Sequence, residues 1–390
     1  MVRVADRMKS IPFSGIRKVF EEVVRREKMG EKIINLNIGE PDFDTPMHIR
    51  EAAKKALDDG KTHYSSNYGI PELREAIALG LSQENGLSYD PATDIIVTVG
   101  GNEAVLITMM GLLNPGDEVL IPDPCWLNYF YCVRMAGAVP ISVPTKEQFK
   151  FIPHIDDFRS RVTPRTRMII INSPNNPTGA VYTAEALEEL AQLAKEKDLY
   201  VLSDEIYGRM VYDGARHVSI GSFPGMKERV ITANGFSKTY SMCGWRLGFV
   251  AADREVISAL VRIHQYSTIH ATSFAQWGAV AALRGPQTEI NHMIEEFGRR
   301  RILVYTALQD MPGVRVVKPL GAFYLFPNIK ETGKTSVELT QYLIEKAKIA
   351  VVPGSVFGEF GDEFIRISYA NSYENLERAM ENMREALKKI

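Results

Sequence analysis

The stretch Val230–Ala251, VITANGFSKTYSMCGWRLGFVA, sets two apolar runs, Val230–Ala233 and Leu247–Ala251, around a segment of small and polar residues. Short runs of this kind bounded by turn-forming residues predict strands. The segment between them carries one lysine, Lys238, and one arginine, Arg246. A lysine here is either a solvated loop residue or an enclosed nucleophile, its pKa lowered by desolvation and a nearby cation. The small neighbours, the arginine and the flanking strands favour the second reading. The rest of the chain has to decide.

Working outward, similar apolar, β-branched runs lie at Ile95–Val99, Val119–Ile121, Met168–Ile171 and Tyr200–Leu202. Helical patterns separate several of them, at Glu103–Leu113 and Ala184–Lys197. Strands alternating with helices predict an α/β fold, a mostly parallel sheet covered on both faces. In such sheets ligands bind beyond the carboxyl ends of the strands. Before this region, Ile16–Met29, Ile49–Asp58 and Pro71–Asn85 read as helices and Ile33–Ile38 as a short strand. Beyond Pro286 a long charged helix, Glu289–Leu308, leads to strand-like runs at Val314–Val317, Phe323–Phe326, Ala350–Val352 and Phe364–Ser368. Helical segments at Ser336–Lys346 and Asn375–Lys389 accompany them, which predicts a smaller α+β domain. The expected division is an N-terminal arm over 1–15, a small domain over 16–45 and 290–390, and a large domain over 46–289.

Size and composition agree with two domains. The chain has 390 residues, 45% hydrophobic and 24% charged, as in ordinary globular proteins. A net charge of -2 gives no footprint for nucleic acid. The three cysteines have no C-x-x-C spacing, so neither a disulfide framework nor a zinc site follows, and a reducing cytoplasm fits. No run approaches the roughly 20 apolar residues of a membrane span. The expectation is a cytoplasmic protein with no membrane, nucleic-acid or metal partner.

Four features stand at the strand ends. Gly100-Gly101-Asn102 follows Val99 and precedes the helix expected near Glu103. It is either a tight turn or a phosphate cradle made by bare N–H groups. Asn172–Gly179, NSPNNPTG, is a rigid turn able to aim an amide. Asp204, at a buried strand end, needs a partner, whether a structural arginine, a metal or a cationic cofactor nitrogen. Lys238 completes the set. Pyridoxal phosphate uses all four, with the lysine as covalent anchor, the acid on the pyridinium nitrogen and the cradle on the phosphate. G-x-G-x-x-G does not occur, Gly333-Lys334-Thr335 lacks the leading glycine of a P-loop, and there is no H-E-x-x-H.

Asn176-Pro177-Thr178-Gly179, Asp204…Tyr207 and Ser237-Lys238…Gly244-Trp245-Arg246 resemble the class I/II aminotransferases of the aspartate aminotransferase fold. The resemblance runs from Asn37-Ile38-Gly39-Glu40-Pro41-Asp42 to Arg366-Ile367-Ser368-Tyr369-Ala370, and is closest to the prokaryotic aspartate and aromatic aminotransferases. It implies fold type I, with a seven-stranded sheet between helices. It also implies transfer of an amino group from an L-amino acid to a 2-oxo acid, 2-oxoglutarate being expected, through a pyridoxamine form with ping-pong kinetics.

The roles that it implies are specific. Lys238 would hold the cofactor and shuttle a proton. Asp204 would keep the pyridine nitrogen protonated, and Tyr207 with Asn176 would bond the phenolic oxygen. Arg246, Ser237 and the backbone of Gly101 and Asn102 would take the phosphate, and Trp126 would stack on the ring. Arg366 would fork onto the substrate's α-carboxylate, with the Gly39 N–H, Trp126 and Asn176 also at the substrate. Tyr64, matched with Gly69, would reach the phosphate of a neighbouring subunit, so the resemblance implies a homodimer with shared active sites.

In one place the chain departs from that pattern. Asn102 stands where prokaryotic aspartate aminotransferases of this subgroup often carry a lysine for the distal carboxylate. A neutral amide cannot neutralise that charge, which turns the expected donor from aspartate alone towards an aromatic or broad set. Tyr68, Phe13 and Phe323 are expected to line the side-chain pocket. The alternatives are a β-lyase of the same fold and a non-catalytic sensor of the cofactor or an amino acid.

Overall fold

The structure, a computed structural model, describes residues 3–390. After the short β1 (Ile34–Asn35), seven strands form the central sheet: β2 (Ile95–Thr98), β3 (Glu118–Asp123), β4 (Val139–Pro144), β5 (Thr166–Asn172), β6 (Tyr200–Asp204), β7 (Val230–Gly235) and β8 (Gly248–Ala251). Their order is β2-β8-β7-β6-β5-β3-β4. Only β8 runs against its neighbours; the β7–β6–β5–β3–β4 pairings are all parallel. This is the α/β fold expected, with its mostly parallel seven-stranded sheet. Helices on both faces explain why Met168–Ile171 is one continuous apolar run, since its residues are buried whichever way they point.

Four strands follow in the C-terminal region: β9 (Tyr324–Leu325), β10 (Ile349–Ala350), β11 (Val352–Pro353) and β12 (Ile365–Ser368). β12 lies between β11 and β9, while β10 pairs with β1. Period-two alternation sends Ile365 and Ile367 of β12 into the apolar core, leaving Arg366 and Ser368 for the other face. The helix Thr288–Gln309 packs into the same core through Phe297, Val304 and Leu308.

Some local expectations need correction. Val314–Val317 forms no strand; Arg315 makes only an isolated bridge to Asn328. β4 gave no signal in the sequence because it is an edge strand with prolines at 140 and 144, positions an edge tolerates. The helix expected near Glu103 starts at Gly100, so both glycines lie in its first turn. Pro71 heads the helix Pro71–Asn85 as expected, where a missing N–H costs nothing.

No described helix is long and apolar enough to cross a membrane.

Candidate active site

Because β2, β3, β5, β6 and β7 share one direction, their carboxyl ends lie along one edge of the sheet. The residues just beyond them, Gly101, Trp126, Asn176, Asp204 and Lys238, line one cavity of about 270 Å³. Asn102, Tyr207, Ser237, Arg246, Gly39 and Arg366 line it too. Tyr64 does not: it is 83% exposed and rests edge-on against His270, outside the cavity of its own chain.

The floor is built by register. Asn172 pairs with Asp204 across β5 and β6, and its amide donates to the Asp204 carbonyl at 3.0 Å. Its side-chain oxygen accepts from the Asn176 N–H at 2.9 Å, which fastens the turn. The Asp204 carboxylate accepts from the Tyr129 hydroxyl at 2.6 Å and from the Ile206 N–H at 3.2 Å. Asp204 has no ion-pair partner among the described residues. Burial pushes its carboxyl up to about 6, against the pull of the Tyr129 and Ile206 hydrogen bonds. A buried acid without a counter-charge suits a cationic partner in the cavity.

The glycine pair is explained by its neighbours. Gly100 has φ +76°, and a Cβ there would meet the Arg246 guanidinium at 2.6 Å. A Cβ on Gly248 would press on the Gly100 and Gly101 backbone at 2.8 and 2.9 Å, so β8 packs closely under the helix start. A Cβ on Gly101 would touch nothing, because that residue faces open space. Three elements thus meet around a helix N-terminus whose first N–H groups lack intrahelical partners, with a guanidinium alongside. That is an anion cradle.

Lys238 is half-buried, its amine donating to the Gly39 carbonyl at 2.6 Å and lying 3.6 Å from the Cys243 sulfur. Arg366 is 2% exposed and has no carboxylate partner among the described residues. It donates to the Asn176 side-chain oxygen at 3.1 Å and to the Asn37 carbonyl at 2.7 Å, while its Nε has no acceptor. Tyr324 lies 4.5 Å from its guanidinium and shares a hydrogen bond of 2.9 Å with the Tyr207 hydroxyl. A buried cation with a free donor suits a carboxylate ligand.

Tyr129, Asn172, Tyr324, Ile16 and Cys243 also line the cavity and were missed as site residues. Asn172 had a signal, opening the NSPNNPTG turn; the others had none beyond proximity to quoted motifs. None of the three aromatics expected in the side-chain pocket lines the cavity of its own chain. Phe13 is 90% exposed, Phe323 is fully buried under Tyr207 and Phe297, and Tyr68 packs at the edge of the large core.

The chain matches the sequence profile "Aminotransferase class I and II" over residues 31–383. It belongs to the class I and II aminotransferase family. It is 49% identical to the aromatic-amino-acid aminotransferase 2 of Thermococcus litoralis, over 99% of this chain and 98% of that protein. It is 47% identical to an aspartate aminotransferase of Pyrococcus abyssi, again over 99% of this chain and 98% of the relative. The crystal structure of an aromatic aminotransferase from Pyrococcus horikoshii OT3 superposes with TM-score 0.91 at 48% identity, covering 94% of this chain and 99% of that one. The protein is an enzyme, an aminotransferase that moves an amino group from an amino acid to a 2-oxo acid. The lyase and sensor alternatives have no support among these relatives. The family depends on pyridoxal phosphate.

Proposed function

We propose that this aminotransferase holds pyridoxal phosphate in the strand-end cavity and takes an aromatic or broad set of amino donors, aspartate among them, with 2-oxoglutarate as acceptor. The observation that carries the reading is one cavity containing an amine, a buried acid without a cation and a buried guanidinium without an anion. When bound, the cofactor supplies an electron sink for the α-carbon and a carbon that carries the amino group between substrates.

Lys238 would be the covalent anchor, and its freed amine would take the proton from the substrate's α-carbon and hand it to the carbon that receives the amino group. Asp204 holds positive charge on the ring nitrogen, with Tyr129 and Ile206 fixing the carboxylate. Arg246, Ser237 and the N–H groups of Gly101 and Asn102 take the phosphate. Tyr207 and Asn176 bond the phenolic oxygen, and Trp126 stacks on the ring. Arg366 holds the α-carboxylate in a fork, helped by the Gly39 N–H. Asn102, uncharged, leaves room for neutral side chains.

The same proposal makes the enzyme a cytoplasmic homodimer in which Tyr64 serves the partner's phosphate, and divides the chain into a small domain (16–45, 290–390) and a large one (46–289). The exposure of Tyr64, which does not line its own cavity, motivates the dimer.

A panel of amino donors with 2-oxoglutarate, ranked by kcat/KM, tests the substrate reading. A profile with aspartate far above every aromatic donor overturns it. Sedimentation equilibrium tests the dimer, and Tyr64→Phe should weaken cofactor retention roughly tenfold, the scale of one charge-assisted hydrogen bond. A monomer with full activity ends that part of the proposal.

A further inference from the structure

The segment Asn37–Thr45 passes the cavity as a strap with very little backbone support. Leu36 is tied by backbone hydrogen bonds to Ala350 and Ser368, but residues 37–45 make no backbone–backbone hydrogen bond to the described chain. Side chains hold the strap instead. Arg366 donates to the Asn37 carbonyl at 2.7 Å and Lys238 to the Gly39 carbonyl at 2.6 Å. At the far end the Thr45 hydroxyl donates to the Ser241 carbonyl at 2.6 Å.

Between these anchors stands Arg300, on the helix Thr288–Gln309. It is 6% exposed and donates to the Asp42 carboxylate at 2.7 Å. Its guanidinium also faces the Phe43 ring at 5.1 Å, and Phe43 packs edge-on against Phe297 at 5.5 Å. Glu296, one turn away, accepts from its Nε at 3.1 Å and so fixes the direction of the fork. Gly39 has little freedom on the other side, since a Cβ there would meet the Tyr324 hydroxyl at 2.6 Å.

Arg366 and Lys238 have work of their own in the reaction. Arg300 does not line the cavity. We infer that Arg300 is a positioning residue for substrate: its ion pair with Asp42 and its packing on Phe43 hold the strap so that the Gly39 N–H faces the carboxylate bound by Arg366. This rests on the proposed carboxylate site of Arg366 and Gly39. The contact spans two distant parts of the chain and leaves the cofactor-binding floor untouched, so its loss should appear in substrate binding alone.

The test uses the holoenzyme with Arg300→Met, Asp42→Asn, the double variant, Arg300→Lys, and Arg366→Lys as control. Arg300→Met should raise KM for both the amino donor and the oxo acid about tenfold, as expected for losing a partly buried charged hydrogen bond, with kcat within about twofold. Asp42→Asn should do nearly the same, the double variant no worse than the larger single effect, and Arg300→Lys should recover part of the loss. Cofactor affinity in reconstitution of the apoenzyme should not move. An unchanged KM, or kcat and cofactor affinity falling together, overturns the inference. If Arg366→Lys raises KM and Arg300→Met does not, this inference fails alone; if Arg366→Lys is silent, the carboxylate site beneath it fails. Should Arg300→Met not fold, Asp42→Asn decides by the same readings, because Asp42 is the more exposed end of the pair.

Discussion

The floor of the cavity and the strap that passes it are held by opposite means. On the floor, Asn172 and Asp204 sit at the ends of paired strands, so the sheet ladder fixes their backbone and side-chain hydrogen bonds only refine it. Along the strap no ladder exists, and the side chains of Arg366, Arg300 and Thr45 set the position of Gly39. A site needs both: geometry for chemistry must be built into rigid elements, whereas substrate has to enter and leave past something that can yield. Changes to the floor should therefore reach kcat and cofactor affinity, and changes to the strap should reach KM.

The largest expected effect is on the floor. Lys238→Ala should remove about 10⁴-fold or more of the turnover, since anchoring and proton transfer are both lost. Visible absorbance of the bound cofactor should shift as well. Retention of turnover within tenfold would end the enzyme reading of this lysine.

Next comes Asp204→Asn, which should cost roughly 10²–10³-fold in kcat, the scale of deleting one preorganised electrostatic group. It also has a signature in stability. The folded apoprotein raises this carboxyl from 3.8 to about 6 through burial. Below pH 4 both folded and unfolded forms are protonated and burial costs nothing. Between pH 4 and 6 the unfolded chain gives up its proton first, so stability falls with rising pH, by about 3 kcal/mol in all. Asp123 is raised to about 6 as well and acts in the same direction. The difference between wild-type and Asp204→Asn apoprotein isolates Asp204, and thermal unfolding at pH 4, 5, 6 and 7 reads it. A difference that stays flat with pH would remove the account of a buried, uncompensated acid.

The same contrast explains what was legible in the sequence. Strands buried on both faces announce themselves as apolar runs, so Met168–Ile171 and Tyr200–Leu202 were readable and with them the strand ends carrying Asn176, Asp204 and Lys238. β4 was not, because an edge strand with Val139 39% exposed and two prolines carries no such signature. The start of the helix at Gly100 was hidden because glycine is a poor helix former whose presence here answers to Arg246 and Gly248. Side chains that arrive from distant elements left no trace. Tyr129 reaches Asp204 from a separate helix, and Arg300 lies 258 residues from Asp42. Motif order told which family the chain resembled; it could not tell what holds the strap.

Turning to the boundary between the regions, Arg366→Lys should lower kcat/KM roughly 10- to 100-fold, by losing the planar fork while keeping the charge. Most of that should lie in KM, and equilibrium binding of a non-reacting dicarboxylate such as succinate should weaken in proportion. Cofactor retention should stay as in the wild type, since Arg366 is bonded to Asn176 and Asn37 and not to the phosphate cradle. A loss of cofactor together with substrate would mean that Arg366, through its bond to Asn176, supports the floor as well.

Thr45→Val is the smallest change and the finest test. The Thr45 hydroxyl donates to the Ser241 carbonyl at 2.6 Å and accepts from the Trp245 indole N–H at 3.1 Å, tying the end of the strap to the segment that carries Arg246. Valine keeps the shape and leaves both partners unpaired, which costs about 1–3 kcal/mol of stability if they stay buried. The strap shares that cost with the Trp245 segment, and its other anchors, Arg366 and Arg300, remain. Only a fraction of the loss can therefore reach Gly39, and KM should rise two- to fivefold, roughly, against a lower melting temperature. The ratio is informative. A KM change as large as the tenfold expected for Arg300→Met would mean that the strap moves as one stiff piece pivoting at its far end; no KM change would mean that the Asp42–Arg300 pair alone isolates Gly39 from what happens beyond it.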